Sequence, residues 1–381
     1  MRILMTSDVY FPRINGVSTS IETFRKTLTP YGVETLLVAP RYGAEPEETG
    51  IIRVKGSALP FSIDVEDRRL SWRKVRRAAL EAARHCDLIH THTPFIAHYA
   101  GLNAARKLRR PILTTYHTLF EEYLQYYVPF LPRRNLSEWT RKFSRKQCNA
   151  MNAVIVPSTA MREHLEAFGV TVPIHVLPTG IPLDRFASGD RRAFRARHGI
   201  AEERPVALFA GRIAHEKNIG FLLDAWAKAA RARPGLLLLL AGDGPALAEY
   251  KAAAQRLGIG DAARFLGYLD RKQELPDCYA AADVFLFSSR TETQGLVLLE
   301  AMAAGLPVIG LSYLGTRDIL EPGKGCLTPP EDEAAFAEAI TRFFADPALQ
   351  ERLRAEARVF AQAWSDEACA ARLAALYRSL L

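Results

Sequence analysis

Short β-branched or leucine-rich runs alternate along the whole chain with longer stretches whose apolar residues recur at helical spacing. That alternation marks repeated βα units, because two parallel strands need a crossover long enough to hold a helix. In the first half the pattern predicts strands near 2–6, 35–39, 87–91, 112–115 and 153–157. In the second half it predicts them near 206–210, 236–241, 264–266, 284–288 and 307–311. The expected fold class is α/β, with two doubly wound parallel-sheet lobes. Between the two sets, 174–186 carries Pro178, Gly180 and Pro182, too much punctuation for a helix, so the linker and a hinge are placed there. After Gly325 the pattern turns helical with a break at Pro347, and the alanine-rich stretches 245–257 and 351–375 read as helices. Domains are expected at 1–178 and 179–362, with a last helical segment at 363–381.

A length of 381 residues suits two domains, and 49% hydrophobic with 24% charged residues excludes a disordered chain. The most apolar run, 236–241, is far shorter than the ~20 residues of a membrane span, and no export signal follows Met1. Cys86, Cys148, Cys278, Cys326 and Cys369 are scattered with no C-x-x-C, so no disulfide framework or zinc knuckle is expected and a reducing cytoplasm fits. The net charge of +8 lies in the first half: residues 1–180 carry 25 Lys and Arg against 16 Asp and Glu, and the remainder 25 against 26. Such asymmetry fits nucleic acid, an anionic membrane surface, an anionic ligand or a solvated basic face.

In open α/β sheets ligands bind at the carboxyl ends of strands, which directs attention to four places. After the first strand, Asp8 to Val17 leads into a helix through Asn15 and Gly16. A glycine at a helix N-terminus lets backbone N–H groups approach an anion, although a plain turn has the same look. After 206–210, Gly211-Arg212-Ile213-Ala214-His215-Glu216-Lys217 sets a guanidinium and an ammonium five positions apart. The two can clamp a diphosphate or simply cap a loop. After 284–288, Glu292 stands in the loop before a helix, near the N–H groups of Gln294, Gly295 and Leu296, and Glu300 stands within that helix. Carboxylates of this kind suit sugar or ribose hydroxyls, or else the helix dipole and an ion pair. After 112–115, His117 follows Tyr116. His90, His92 and His98 lie nearby, but without a placed carboxylate no metal is expected. G-x-S-x-G, Walker and H-E-x-x-H motifs are absent, which disfavours hydrolases and kinases.

Arg212 with Lys217, Glu292 with Glu300, the turn Gly242-Asp243-Gly244-Pro245, Asn15-Gly16-Val17 and His117 together resemble the retaining glycosyltransferases of family 4, which have the GT-B fold. The resemblance spans essentially the whole chain. It implies two Rossmann-like domains facing a cleft, a last helix crossing back to the first domain, and a nucleotide-sugar in the second. By similarity, Arg212 and Lys217 bind the donor diphosphate, Glu300 the ribose, and Glu292 with Gln294, Gly295 and Leu296 the sugar. Gly16 lets the first domain approach the phosphate, Gly242 borders the donor, Tyr268 and Leu269 border the base, and His117 contacts the transferred sugar. No cofactor and no metal are implied.

Between 118 and 134 the chain packs aromatic residues beside a basic run that continues through Arg141, Lys142, Arg145 and Lys146. A second basic amphipathic stretch, 68–84, holds Trp72. Such segments dock on anionic lipid, or form an internal helix pair with a solvated face. Tyr116-His117-Thr118 and Thr291-Glu292-Thr293-Gln294-Gly295 resemble the bacterial branch that glucosylates diacylglycerol from UDP-glucose, at the cytoplasmic face of the membrane. Tyr10, Asn15, Tyr116, Tyr123 and Tyr126 are then the candidates for the acceptor. GDP-mannose-dependent lipid mannosyltransferases share the frame and are the alternative. A non-catalytic nucleotide-sugar or nucleic-acid binder is the alternative of another class, and no recognition helix, RRM signature or zinc finger supports nucleic acid.

Overall fold

Along the first strand Ile3 and Met5 enter one apolar cluster and Leu4 the opposite one, so the strand is covered on both faces. A parallel sheet with helices on both sides imposes this arrangement. The computed structural model describes residues 1–13, 15–58, 68–117 and 133–381. Its contacts divide the chain into unit 1, Met1–Gly180 with Asp366–Leu381, and unit 2, Ile181–Ser365.

Unit 1 contains β1 (Arg2–Thr6), β2 (Glu34–Arg41), β3 (Ile51–Lys55), the short antiparallel pair β4 (Ser57–Ala58) and β5 (Arg68–Arg69), then β6 (Leu88–Thr91), β7 (Ile112–Thr115), β8 (Ala153–Val156) and β9 (Ile174–Val176). Seven of them form a parallel sheet in the order β3-β2-β1-β6-β7-β8-β9. Unit 2 contains β10 (Val206–Ala210), β11 (Leu237–Ala241), β12 (Ala263–Gly267), β13 (Val284–Phe287), β14 (Val308–Gly310) and β15 (Cys326–Leu327), in the parallel order β12-β11-β10-β13-β14-β15. On β10, Leu208 and Ala210 enter one core cluster while Ala207 and Phe209 enter the other. Both sheets are doubly wound. The order reverses between β1 and β6 in unit 1 and between β10 and β13 in unit 2, and these switch points are where crevices open at strand ends.

The ends of unit 2 meet: the Ile181 N–H donates to the Trp364 carbonyl at 3.0 Å. The chain therefore leaves unit 2 beside the point where it entered. Helix Asp366–Ser379 then joins unit 1, burying Cys369, Leu373, Ala374 and Tyr377 in the cluster that holds Ile3, Met5, Ile21 and Phe24.

Three expectations need correction. The stretch 174–186 is no bare linker, because Ile174–Val176 pairs with β8 and Pro182 precedes helix Leu183–Ala187. An edge strand of three residues is too short to show a period. The stretch 351–375 is two helices, Pro347–Gln362 and Asp366–Ser379, since the chain changes unit between them. Strands β3 and β15 went unforeseen, and β15 interrupts the region read as helical. The break at Pro347 falls at the first position of its helix, where the missing N–H is harmless, and Asp346 caps it by accepting from the Leu349 N–H at 3.0 Å.

Candidate functional site

At the switch point of unit 2 the loops leaving β10 and β13 are bonded to each other. The Ser288 hydroxyl donates to the Lys217 carbonyl at 3.0 Å, and Asn218 Nδ2 donates to the Ser288 carbonyl at 3.3 Å. Asn218 sits in the left-handed region, φ +55°, where its short polar side chain is tolerated. This pinning brings the Lys217 ammonium to 2.5 Å from Glu292 Oε1, with each side chain about one-fifth exposed, at 21% and 22%. Helix Leu296–Ala303 begins just beyond, on Gly295 at φ +88°. Its N-terminal end adds partial positive charge beside the ion pair. The loop is braced from β14 as well: the Gly315 N–H donates to the Glu292 carbonyl at 2.9 Å, and a Cβ there would lie 2.0 Å from the Thr293 carbonyl oxygen.

Arg212 lies on the same loop as Lys217 but has a different partner. Its side chain is 62% exposed, and Nη1 is 3.8 Å from Glu216. Glu300 does not join Glu292 either. It is buried, at 3% exposed, accepting from Arg271 Nη2 at 2.5 Å and from the Tyr279 hydroxyl at 3.0 Å. Gly242 answers to packing: a Cβ would stand 1.8 Å from the Gly211 carbonyl oxygen, because the loops after β10 and β11 cross there. Tyr268 is exposed and Leu269 is buried.

In unit 1 the corresponding switch point is tied by Asp8. Thr93 Oγ1 accepts from the Asp8 N–H at 2.7 Å and donates to Asp8 Oδ2 at 2.7 Å, and Asp8 Oδ1 accepts from the Ala97 N–H at 3.0 Å. Asp8 thus joins the loop after β1 to the start of helix Ile96–Leu108. Its place directly after the first strand is the one signal of it in the sequence. Burial pushes its carboxyl up to about 6, against the Thr93 and Ala97 bonds that pull it down. A folded-state value above the unfolded one means that the stability it contributes is present at low pH and lost as pH rises through about 6. Asp8→Asn is therefore expected to gain on the wild type by about 1–3 kcal/mol between about pH 4 and pH 8 in urea unfolding. A difference that does not vary with pH contradicts the burial account.

Three imidazoles stack beside this loop. His90 and His92 are buried with ring centroids 4.0 Å apart, and His92 faces His117 at 5.5 Å with ring planes at 22°. Burial lowers His117 to about 4, so it is neutral at pH 7. Among the described residues no group of three or more His, Cys, Asp or Glu is placed to hold a metal ion.

Tyr10, Asn15 and Tyr116, expected as acceptor contacts, each have partners within unit 1. Tyr10 is buried, donating to Glu22 and accepting from Arg25 Nη1 at 3.0 Å. Asn15 caps helix Gly16–Thr27 by accepting from the Ser18 N–H at 2.8 Å. The buried Tyr116 hydroxyl pairs with Ser144 Oγ at 3.0 Å. Gly16 opens the same helix, and a Cβ there would meet nothing within 4 Å among the described residues, so their packing does not demand the glycine. Tyr123 and Tyr126 lie outside the described residues.

Known proteins place these features in context. The family model described as Glycosyltransferase Family 4 matches residues 14–185, and that described as Glycosyl transferases group 1 matches 190–360. The chain is 34% identical to an alpha-monoglucosyldiacylglycerol synthase of Streptococcus pneumoniae, over 93% of this chain and 81% of the relative. It is 29% identical to a GDP-mannose-dependent alpha-mannosyltransferase of Mycobacterium tuberculosis, over 87% and 85%. The fold of Anabaena HepE, solved in complex with UDP, superposes with a TM-score of 0.79 over all of both chains at 20% identity.

Proposed function

The chain belongs to glycosyltransferase family 4, and on that premise we propose that it moves glucose from UDP-glucose, with retention, to a lipid acceptor such as diacylglycerol. The observation that carries the reading is the Lys217–Glu292 pair at the switch point of unit 2, beside a helix N-terminus. When the bond from the anomeric carbon to the diphosphate oxygen breaks, its electrons leave with the phosphate. Lys217, Arg212 and the helix end stabilise that charge, and the glucosyl carbon becomes electron-poor. The acceptor hydroxyl attacks on the face the leaving group vacates, passes its proton to the departing phosphate oxygen and so preserves the anomeric configuration. Glu292 accepts from sugar hydroxyls while orienting Lys217, and Glu300 accepts from the ribose. Neutral His117 is read as a hydrogen-bonding contact, not a proton donor. In this chemistry the side-chain cations take the part a metal plays elsewhere. A covalent glucosyl ester on another carboxylate of the enzyme, trapped in the Glu292→Gln variant, would defeat the front-face route.

Glucose and a lipid acceptor follow the streptococcal relative, and mannose from GDP-mannose follows the mycobacterial one. A thermal-shift panel separates them, since ligand at about 100 times its dissociation constant adds about 2.7 kcal/mol. UDP and UDP-glucose are expected to raise the melting temperature. A response to GDP and GDP-mannose alone selects the second reading, and silence to both sinks the donor assignment.

The acceptor is proposed to be met at an anionic membrane surface. Two basic helices carry exposed tryptophans: Trp72 on Trp72–Ala83, beside Arg73, Lys74, Arg76 and Arg77, and Trp139 on Arg133–Cys148, beside Arg141 and Lys142. Flotation with anionic vesicles is expected to exceed that with neutral ones, and equal partitioning removes the electrostatic part of this proposal.

A further inference from the structure

His92 is 2% exposed, its Nδ1 lies 3.2 Å from His117 Nε2, and its own Nε2 is buried with no hydrogen-bond partner among the described residues. One proton occupies the contact between the two rings, and its origin fixes where every other proton sits. If His117 donated from Nε2, neutral His92 would have to carry its proton on Nε2, a buried N–H with no acceptor. If His92 donates from Nδ1, its Nε2 is a bare lone pair, which a dry interior tolerates far better than an orphaned N–H. Neutral His117, accepting at Nε2, then carries its proton on Nδ1. We infer that His92 is a positioning residue that locks His117 as the Nδ1–H tautomer, so that it offers a donor to an oxygen lone pair.

The surroundings support a fixed arrangement. His90 is held at both nitrogens, Nδ1 2.7 Å from the Tyr377 hydroxyl and Nε2 2.7 Å from Thr115 Oγ1, and its ring forms a floor under His92. Tyr377 belongs to the terminal helix, so that helix steadies the stack. Both rings are neutral, burial keeping His92 well below the ordinary histidine value and His117 at about 4. An imidazole in water favours the Nε2–H form, so a locked Nδ1–H form is not the default. The consequence for the reaction rests on the proposed function: a fixed Nδ1–H can hold a hexose oxygen, whereas a ring free to flip or change tautomer holds it part of the time.

The test is a long-range proton–nitrogen NMR spectrum of the full-length protein labelled with 15N-histidine, with His117 assigned by its loss in His117→Gln. The expected wild-type spectrum shows His117 with a protonated Nδ1 and a bare Nε2, and the reverse pattern overturns the inference. His92→Phe keeps the stacking but not the donor. It is expected to release His117 toward Nε2–H and to lower kcat about tenfold with donor KM little changed, the worth of one lost hydrogen bond. His92→Asn, whose amide N–H stands near the place of Nδ1–H, is expected to restore both tautomer and rate. An unchanged tautomer in His92→Phe overturns the assignment, and if that variant does not fold, the wild-type and Asn spectra decide. Because the tautomer is read without substrate, a protein inert to every nucleotide-sugar yet locked at Nδ1–H would sink the functional reading and leave this one standing.

Discussion

Replacing Lys217 with alanine is expected to lower kcat for hexosyl transfer by about two to three orders of magnitude, the usual effect of deleting one preorganised charge at a developing anion. The residue is suited to that role because its backbone is held by Ser288 while its ammonium is 2.5 Å from Glu292. The substitution also removes the ammonium paired with Glu292 where the diphosphate charge builds up, so repulsion adds to the loss. Folding should lose no more than about 1–2 kcal/mol, since a pair with each side chain about one-fifth exposed lies between a surface ion pair and a fully buried one. Initial rates together with a melting curve check both parts. A variant that melts far below the wild type would show that the pair is structural first.

The second large effect is expected at Arg271. Removing its guanidinium strands the buried Glu300 carboxylate on Tyr279 alone. Loss of one partner of a buried pair is destabilising, but Arg271 is itself 37% exposed, so about 1–3 kcal/mol is expected after allowance for solvent screening. Donor KM should rise about tenfold or more, because the carboxylate read as the ribose acceptor loses its fixed orientation, while kcat changes less. Adding Glu300→Gln removes the stranded charge and should recover stability without recovering donor affinity. A double-mutant cycle in both observables checks this, and recovery of both together would contradict the ribose role.

The parts of the molecule that were legible share a cause. Buried parallel strands such as β10 and β13 are runs of apolar residues bounded by glycine or polar loops, and once strand ends are located the loops carrying Arg212, Lys217 and Glu292 are marked. Arg271 left no such mark. It lies in a loop 29 positions before Glu300, and only the folded chain brings the two together, beside the hydrogen bond that Tyr279 of helix Glu274–Ala281 makes to Glu300 of Leu296–Ala303. His92 was visible only as a metal candidate, because a sequence shows neighbours on a strand and not which ring nitrogen faces another. Strands β9 and β15, of three and two residues, carry too few positions for a period and are set by pairing with β8 and β14. Leu314 teaches a related lesson: its φ of +46° lies in the left-handed region, which a leucine rarely adopts, so the sequence carries no local sign of that turn.

The central claim is that a leaving diphosphate is neutralised by the two cations after β10. It is tested most directly by the initial rate of UDP release from UDP-glucose in the presence of dispersed diacylglycerol, comparing the wild type with the Arg212→Ala/Lys217→Ala double variant. The account expects a loss of about a thousandfold or more with the circular-dichroism spectrum unchanged. A folded double variant that turns over within about twofold of the wild type would contradict it, because a change that small is under 0.5 kcal/mol of barrier.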